Sequence, residues 1–379
     1  MVVSPLLRQG GRSYAALRHV TRRQSWHDAV HVDLNKAGVA APLRVGAAVT
    51  LVFVVSGLTG HHTLAGFGAL GALVAAFCRP DPYPVRVGRL MVLGVAMPVS
   101  VGIGAVLGVV GGPELVGIAV ISLLAGAAAY LVWSLHIVGP GAVVFMFAAV
   151  GAESFAREAR DVIWAVAMTS GGAVVGVLAS LAPWLLRGLR SAVTGRSVAA
   201  EQKSSSVRRE SIRRTLARAP HRVLVARAAR ITVAGALAAG IAVTAGFSHP
   251  MWAAMGAVAA MQGIGYHVAV HRGVQRLVGN VGGAVLAAGL LALPLDYWGA
   301  VAAIIVLQTV AEIMSTVNYA LCSLAVTPMA LLMTSLGSGL SPAVAVDRVL
   351  DTGIGIVTGL IIAALTISGA DVERLYSQA

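Results

Sequence analysis

The chain has 379 residues, of which 58% are hydrophobic and 11% are charged, and its formal net charge is +13 at pH 7. This composition excludes an ordinary soluble globular protein and is typical of a chain that crosses a membrane several times. The positive charge is carried by 26 Arg and 2 Lys, grouped beside apolar segments. That grouping indicates membrane topology and argues against a nucleic-acid partner.

Charge-free runs divide the chain into candidate membrane segments. About 20 apolar residues in a helix cross the hydrocarbon core, so runs well beyond that length must fold back. The turn residues at Gly57–His62, at 136–141 and at 248–250 mark where three long runs do so. The pattern predicts an all-α polytopic membrane protein with about twelve transmembrane helices, six on each side of a polar linker.

The two halves resemble each other at an offset of 183 to 188 residues. The matching pairs are Arg44 with Arg230, His61 with His249, Arg86 and Arg89 with Arg272 and Arg276, and Gly172-xxx-Gly176 with Gly355-xxx-Gly359. Because each half has an even number of spans, the repeat is predicted to be parallel, with its pseudo-twofold axis along the membrane normal. Glycines at four-residue spacing further predict close helix packing, at Gly104-xxx-Gly108-xxx-Gly112, Gly279-xxx-Gly283 and Gly355-xxx-Gly359.

This organisation predicts five segments. They are a cytoplasmic N-terminal segment (1–43), a first six-helix repeat (44–186), a basic cytoplasmic linker (187–229), a second six-helix repeat (230–368) and a cytoplasmic tail (369–379). With the N-terminus inside, 25 of the 28 basic residues fall on the cytoplasmic side, which predicts that both termini are cytoplasmic. The Ala-, Gly-, Val- and Arg-rich composition is associated with high-GC bacteria, so we expect a multi-pass protein of a bacterial cytoplasmic membrane.

Motifs for several kinds of chemistry are missing from the sequence. Neither lysine follows a Gly-rich phosphate loop, and no H-E-x-x-H, C-x-x-C or G-x-S-x-G pattern occurs. We therefore expect no enzyme, no cofactor and no metal site.

A spaced set of motifs in the second half carries a family resemblance. The set comprises His249-Pro-Met-Trp252, Arg272 through Gly279, Asn318-Tyr319 and Thr327-Pro328. It resembles the fusaric acid resistance/aromatic acid exporter (FUSC) superfamily over about 230 to 367, with plant aluminium-activated malate channels as more distant relatives; 44 to 186 looks like a degenerate copy. The resemblance implies export of organic anions, often aromatic carboxylic acids. The larger Gram-negative exporters have a soluble domain and a periplasmic adaptor, whereas this chain has only a short linker. Whether this chain works with an adaptor is therefore left open.

Candidate site residues fall into three groups. The substrate-binding candidates are Arg272, Arg276, Trp252, Gln262, Asn318, Tyr319, Arg86 and Arg89. The proton-coupling candidates are Glu312, His267 and His271, and the outer-gate candidates are His249, Arg348 and Asp351. In this hypothesis the four arginines Arg86, Arg89, Arg272 and Arg276 form a cationic inner mouth.

Each candidate also has a plain structural interpretation. The paired arginines of the second half can simply snorkel to the interface and satisfy the positive-inside rule. Trp252 can be an interfacial anchor, the histidines fillers, Glu312 a hydrated carboxylate and Arg348 a partner of Asp347 and Asp351.

The function that we expect is a proton-coupled secondary exporter of small organic anions, with the lipid bilayer as its surroundings. The alternatives are a passive anion channel and a non-transport membrane scaffold that recruits a partner through the basic linker. A homo-oligomer is left open.

Overall fold

The computed structural model describes residues 12–14, 16, 31–194, 211–263, 265–338, 341–368 and 371. These residues form helices joined by turns, with no strand among them. The predicted all-α fold is therefore confirmed.

The first half contains six α-helices. They are α1 (Ala40–Leu58), α2 (Ala65–Ala72), α3 (Tyr83–Val110), α4 (Glu114–Ser134), α5 (Val143–Phe155) and α6 (Ala159–Thr194). Short 3-10 turns, His62–Leu64 and Leu73–Ala76, extend α2 at both ends. A helix of seven residues, α7 (Ile212–Arg218), lies in the linker.

The second half contains the other six helices. They are α8 (His221–Thr244), α9 (Pro250–Met261), α10 (Tyr266–Ala292), α11 (Tyr297–Met314), α12 (Tyr319–Ser338) and α13 (Val344–Leu365). The predicted breaks near 136–141 and 248–250 are confirmed, since α4 ends at Ser134 and α8 ends at Thr244.

Nine helices of the described residues are long and apolar enough to cross a membrane, and three more, at His62–Ala76, Val143–Phe155 and Pro250–Met261, are apolar but shorter. The chain is thus a multi-pass membrane protein, with nine of the twelve predicted crossings supported by helix length. The short helices lack the roughly 20 residues that a single helix needs to cross.

Two of these short helices are enclosed by protein. All residues of α9 except Met251 are buried, and so are all residues of α2 except Gly66. A helix that is apolar and buried on every side belongs to the interior and not to the lipid-facing surface. The interior of this fold is therefore built around α2 and α9.

Glycines bring neighbouring helices into backbone contact, as their spacing predicted. Gly355 and Gly359 of α13 pack against Ala253 and Ala257 of α9. Three other glycine pairs pack in the same way against the backbone of a neighbouring helix. They are Gly172 and Gly176 of α6 against α2, Gly279 and Gly283 of α10 against α12, and Gly104 and Gly108 of α3 against α5. Gly112 does not extend the last motif, because it follows the end of α3 and has no atom near its missing side chain.

Corresponding helices of the two halves make corresponding contacts. In each half the second helix packs on the sixth and the third on the fifth, as α2–α6 and α3–α5 match α9–α13 and α10–α12. The two halves contact each other in matching ways. The fourth helix of the first half, α4, packs on the first helix of the second half, α8, and the fourth helix of the second half, α11, packs on the first helix of the first half, α1.

The predicted linker boundaries fall inside helices. Because α6 continues to Thr194 and α8 begins at His221, residues 186 and 230 do not mark helix ends. Residues 195–210 lie outside the described part of the chain.

Replacing Gly279 by Ala is expected to destabilise the protein by about 1–3 kcal/mol, because the new methyl group would collide with the backbone of Ala320 and Leu324. Gly289→Ala on the same helix is the matched control, since no atom lies within 4 Å of its new carbon. Denaturant unfolding of both purified variants in detergent checks the difference. Equal stability of the two variants would contradict the close α10–α12 contact.

Candidate functional site

A cavity of 640 Å³ opens between the two halves. Residues of α2, α5 and the turns that follow α2 and α4 line it from the first half, and residues of α9 to α13 line it from the second. We call this space the central cavity. It is large enough for a small organic molecule.

The charged side chains of the central cavity are mostly cationic. Arg79, Arg272, Arg276 and Arg348 line it together with one acidic residue, Glu312. Most other lining side chains are apolar, including Leu70, Leu73, Val144 and Phe147 on the side of the first half and Met329 and Met333 on α12. The cavity therefore combines guanidinium groups with an apolar wall.

Two of the predicted arginines meet at one tyrosine. Arg276 donates a hydrogen bond of 3.1 Å to the Tyr319 hydroxyl, and the Arg272 guanidinium lies 4.4 Å from the centre of the same ring. The two arginines are one turn apart on α10, so both reach Tyr319 at the start of α12. Only 7% of Arg276 is exposed. Because α10 begins at Tyr266, these arginines lie inside the helix, as its seventh and eleventh residues.

Arg348 approaches from α13 and is 4% exposed. Its guanidinium lies 4.8 Å from the Trp252 ring centre, and the His249 imidazole stacks on the same ring with the ring centres 4.1 Å apart. Asn280 donates to the Arg348 carbonyl at 3.1 Å and accepts from Thr327 at 3.0 Å. These contacts link α10, α12 and α13 next to Arg348.

The fourth arginine joins the two halves. Arg79, in the turn after α2, forms a salt bridge with Glu312 at the end of α11. Gln308 donates a hydrogen bond of 2.9 Å to the same carboxylate from one turn earlier on α11. In the sequence, Arg79 only adds to the count of basic residues on the predicted cytoplasmic side. Its partner is 233 residues away, so no local pattern could reveal the pair.

Arg86 and Arg89 lie away from the central cavity. Arg89 forms a salt bridge of 2.8 Å with Asp81, and Arg86 donates to the backbone carbonyls of Arg79 and Asp81. Neither residue lines the cavity. The structure therefore does not bring them together with Arg272 and Arg276 as the predicted inner mouth, and their bonds hold the turn that presents Arg79.

The remaining candidates surround the cavity without lining it. His267 and His271 contact each other with ring centres 4.2 Å apart, at the first turns of α10. With its amide oriented to satisfy both groups, Gln262 donates to Pro140 and accepts from Val143 at 3.1 Å, which links the two halves. Asn318 donates to the His31 carbonyl at 2.7 Å and caps the Ala320 N–H.

Among the outer-gate candidates, Arg348 and Asp351 are buried, and only His249 is partly exposed. His249 lies 3.8 Å from Asp347, and burial lowers the pKa of its imidazole while Asp347 opposes that effect. Arg348 and Asp351 stand in the second turn of α13. They are therefore interior residues.

The fold and this cavity define an α-helical, multi-pass membrane protein with a predominantly cationic internal chamber. Residues 233–362 match the family model of fusaric acid resistance protein-like proteins. This match covers most of the stretch whose motifs resemble the FUSC superfamily and supports that resemblance. No curated protein and no solved structure matches the chain.

A double-mutant cycle tests the contact between the halves. We expect Arg79→Ala and Glu312→Ala to show a coupling energy of about 1–3 kcal/mol in denaturant unfolding, because each variant leaves its buried partner without a counter-charge. Strictly additive effects of the two substitutions would show that the salt bridge contributes nothing to holding the halves together.

Proposed function

We propose that the protein is a secondary transporter that binds small organic anions, chiefly aromatic carboxylates, in the central cavity. One observation carries this proposal. Arg272, Arg276 and Arg348 line a largely apolar cavity, and none of them forms a salt bridge with another described residue.

A guanidinium inside a protein is costly unless an opposite charge and hydrogen bonds accompany it. Tyr319 and Trp252 offer aromatic faces to these arginines, which orients them but supplies no negative charge. A bound carboxylate would supply that charge, because its two oxygens match the planar donors of a guanidinium.

The apolar wall favours a ligand with a hydrophobic body. Leu70, Leu73, Val144 and Phe147 face the arginines from the first half. An aromatic ring placed against these side chains would be removed from water while its carboxylate meets the cationic side. An inorganic anion would make no hydrophobic contact with this wall.

We also propose that the two halves are parallel six-helix repeats in a bacterial cytoplasmic membrane, with both termini in the cytoplasm. The corresponding packing of α2–α6 and α9–α13 supports the repeat, and the distribution of arginines supports the orientation. In this proposal α2 and α5 complete their crossings with irregular residues such as Arg79 and Gly139. Irregular backbone is tolerated at membrane depth where it lines a cavity, as these residues do.

Outward transport and proton coupling complete the proposal. The family resemblance implies export, and the absence of an ATP-binding motif favours a secondary process over direct ATP use. We regard the protein as a transporter and not as an enzyme.

The first rival is a passive anion channel, and the second is a membrane scaffold. A channel would equilibrate a labelled anion across a vesicle membrane but never accumulate it against its gradient. A scaffold acting through the basic linker would move no anion, and deletion of 191–227 would abolish its role.

Uptake of labelled benzoate into proteoliposomes, with and without an imposed pH gradient, separates these possibilities. The wild type should accumulate benzoate above equilibrium when the gradient is imposed. Arg276→Gln should weaken binding about 10- to 100-fold, because it removes a charge-assisted hydrogen bond of about 1.5–3 kcal/mol. Arg160→Gln, at an exposed position near the start of α6, is the control and should behave like the wild type.

Gradient-independent equilibration would support the channel. Complete absence of benzoate flux and of benzoate binding would contradict the proposed transport function.

A further inference from the structure

The carboxylate of Asp351 is buried. Asp351 is 0% exposed, and neither carboxylate oxygen has a hydrogen-bond partner in the part of the chain that the structure describes. The adjacent Thr352 hydroxyl is also buried and without one. An ionised carboxylate in this condition costs several kcal/mol, so Asp351 needs either a counter-charge or a proton.

The charged groups near Asp351 lie on α13 itself, in the turn before α9 and on α10. On α13 itself, Asp347 and Arg348 stand one turn away and interact with it electrostatically. From the turn before α9, His249 faces Asp347, and from α10, Arg276 faces Arg348. On α8, Arg230 interacts with Asp371 near the opposite end of α13. The cation next to Asp351 is thus Arg348, which also lines the central cavity.

Glu312 is poorly suited to exchange a proton during transport. Its carboxylate forms a salt bridge with Arg79 and accepts a hydrogen bond from Gln308. A proton could reach this carboxylate only by displacing these partners, one of which is Arg79 of the first half.

We propose that Asp351 is the proton-binding residue of the transporter, and that it takes up a proton from water when a substrate carboxylate binds Arg348. This inference rests on the proposed function. Without a bound substrate, the Asp351 carboxylate offsets part of the Arg348 charge electrostatically, although the two side chains form no salt bridge. When a substrate carboxylate occupies the guanidinium, Asp351 would become a second buried negative charge at the same cation, and a proton neutralises it.

The proton and the anion consequently favour each other's binding, by equal factors in both directions. A monocarboxylate then crosses together with one proton, so the transported unit is electrically neutral. Net flux follows the combined gradients of the acid anion and the proton. Export then requires a reaction inside the cell that produces the acid, such as hydrolysis of an ester or oxidation of an aldehyde.

Benzoate binding to the purified full-length protein in detergent tests the assignment. Titrations in weakly buffered solution, followed by calorimetry and a pH indicator, should show proton uptake on binding by the wild type. Its affinity should fall with rising pH by up to about tenfold per pH unit. Asp351→Asn should bind benzoate with no proton uptake and little pH dependence, and Asp351→Glu should restore both.

Asp347→Asn is the matched control. Asp347 lies one turn before Asp351, its side chain is 42% exposed, and its substitution should leave proton uptake in place. Absence of proton uptake in the wild type, which requires no variant to fold, would overturn the assignment. So would uptake that survives in Asp351→Asn and is lost in Glu312→Gln. A wild type that does not bind benzoate at any pH would instead defeat the proposed function itself.

Discussion

Burying arginine in an apolar protein is the physical problem around which this structure is organised. A guanidinium remains charged under all ordinary conditions, so each buried arginine must find an anion, a carbonyl or an aromatic face. Arg86 uses the carbonyls of its neighbouring turn, and Arg79 uses Glu312 of the other half. Arg272 has the Tyr319 ring and no salt bridge with a described residue, and in the proposed function this unfilled need for negative charge makes the central cavity an anion site.

The helix packing creates the space in which those arginines meet. Because Gly355 and Gly359 let α13 approach the backbone of α9, and Gly279 and Gly283 let α10 approach α12, the arginines of α10 and α13 converge on one cavity. The short helices α2 and α9 leave room for irregular turns such as the one that carries Arg79. Packing and chemistry are therefore linked, since longer crossing helices at these positions would fill the cavity with regular backbone.

The sequence predicted the helices well because long apolar runs leave few alternatives, and Gly and Pro mark most breaks. Charge-free runs end at Arg272 and begin again after Arg276, so they do not show that α10 continues through both arginines, where Tyr319 accepts a hydrogen bond from Arg276. Arg348 also lies between two charge-free runs of the sequence, yet it stands inside α13 with its guanidinium beside the Trp252 ring. The match of Arg86 and Arg89 with the arginine pair of the second half suggested a shared inner mouth, but Arg89 forms a salt bridge with Asp81, a few residues earlier. The Arg79–Glu312 contact could not be predicted, since only the packing of the two halves brings these distant residues together.

The most direct test of this account is a crystal structure of the full-length protein with 4-iodobenzoate, located by the anomalous scattering of iodine. The account predicts one iodine peak in the central cavity, beside Phe147 and Leu70, with the carboxylate directed at Arg272, Arg276 or Arg348. Full occupancy of iodobenzoate elsewhere, with the central cavity empty, would contradict the claim that these arginines form the anion site.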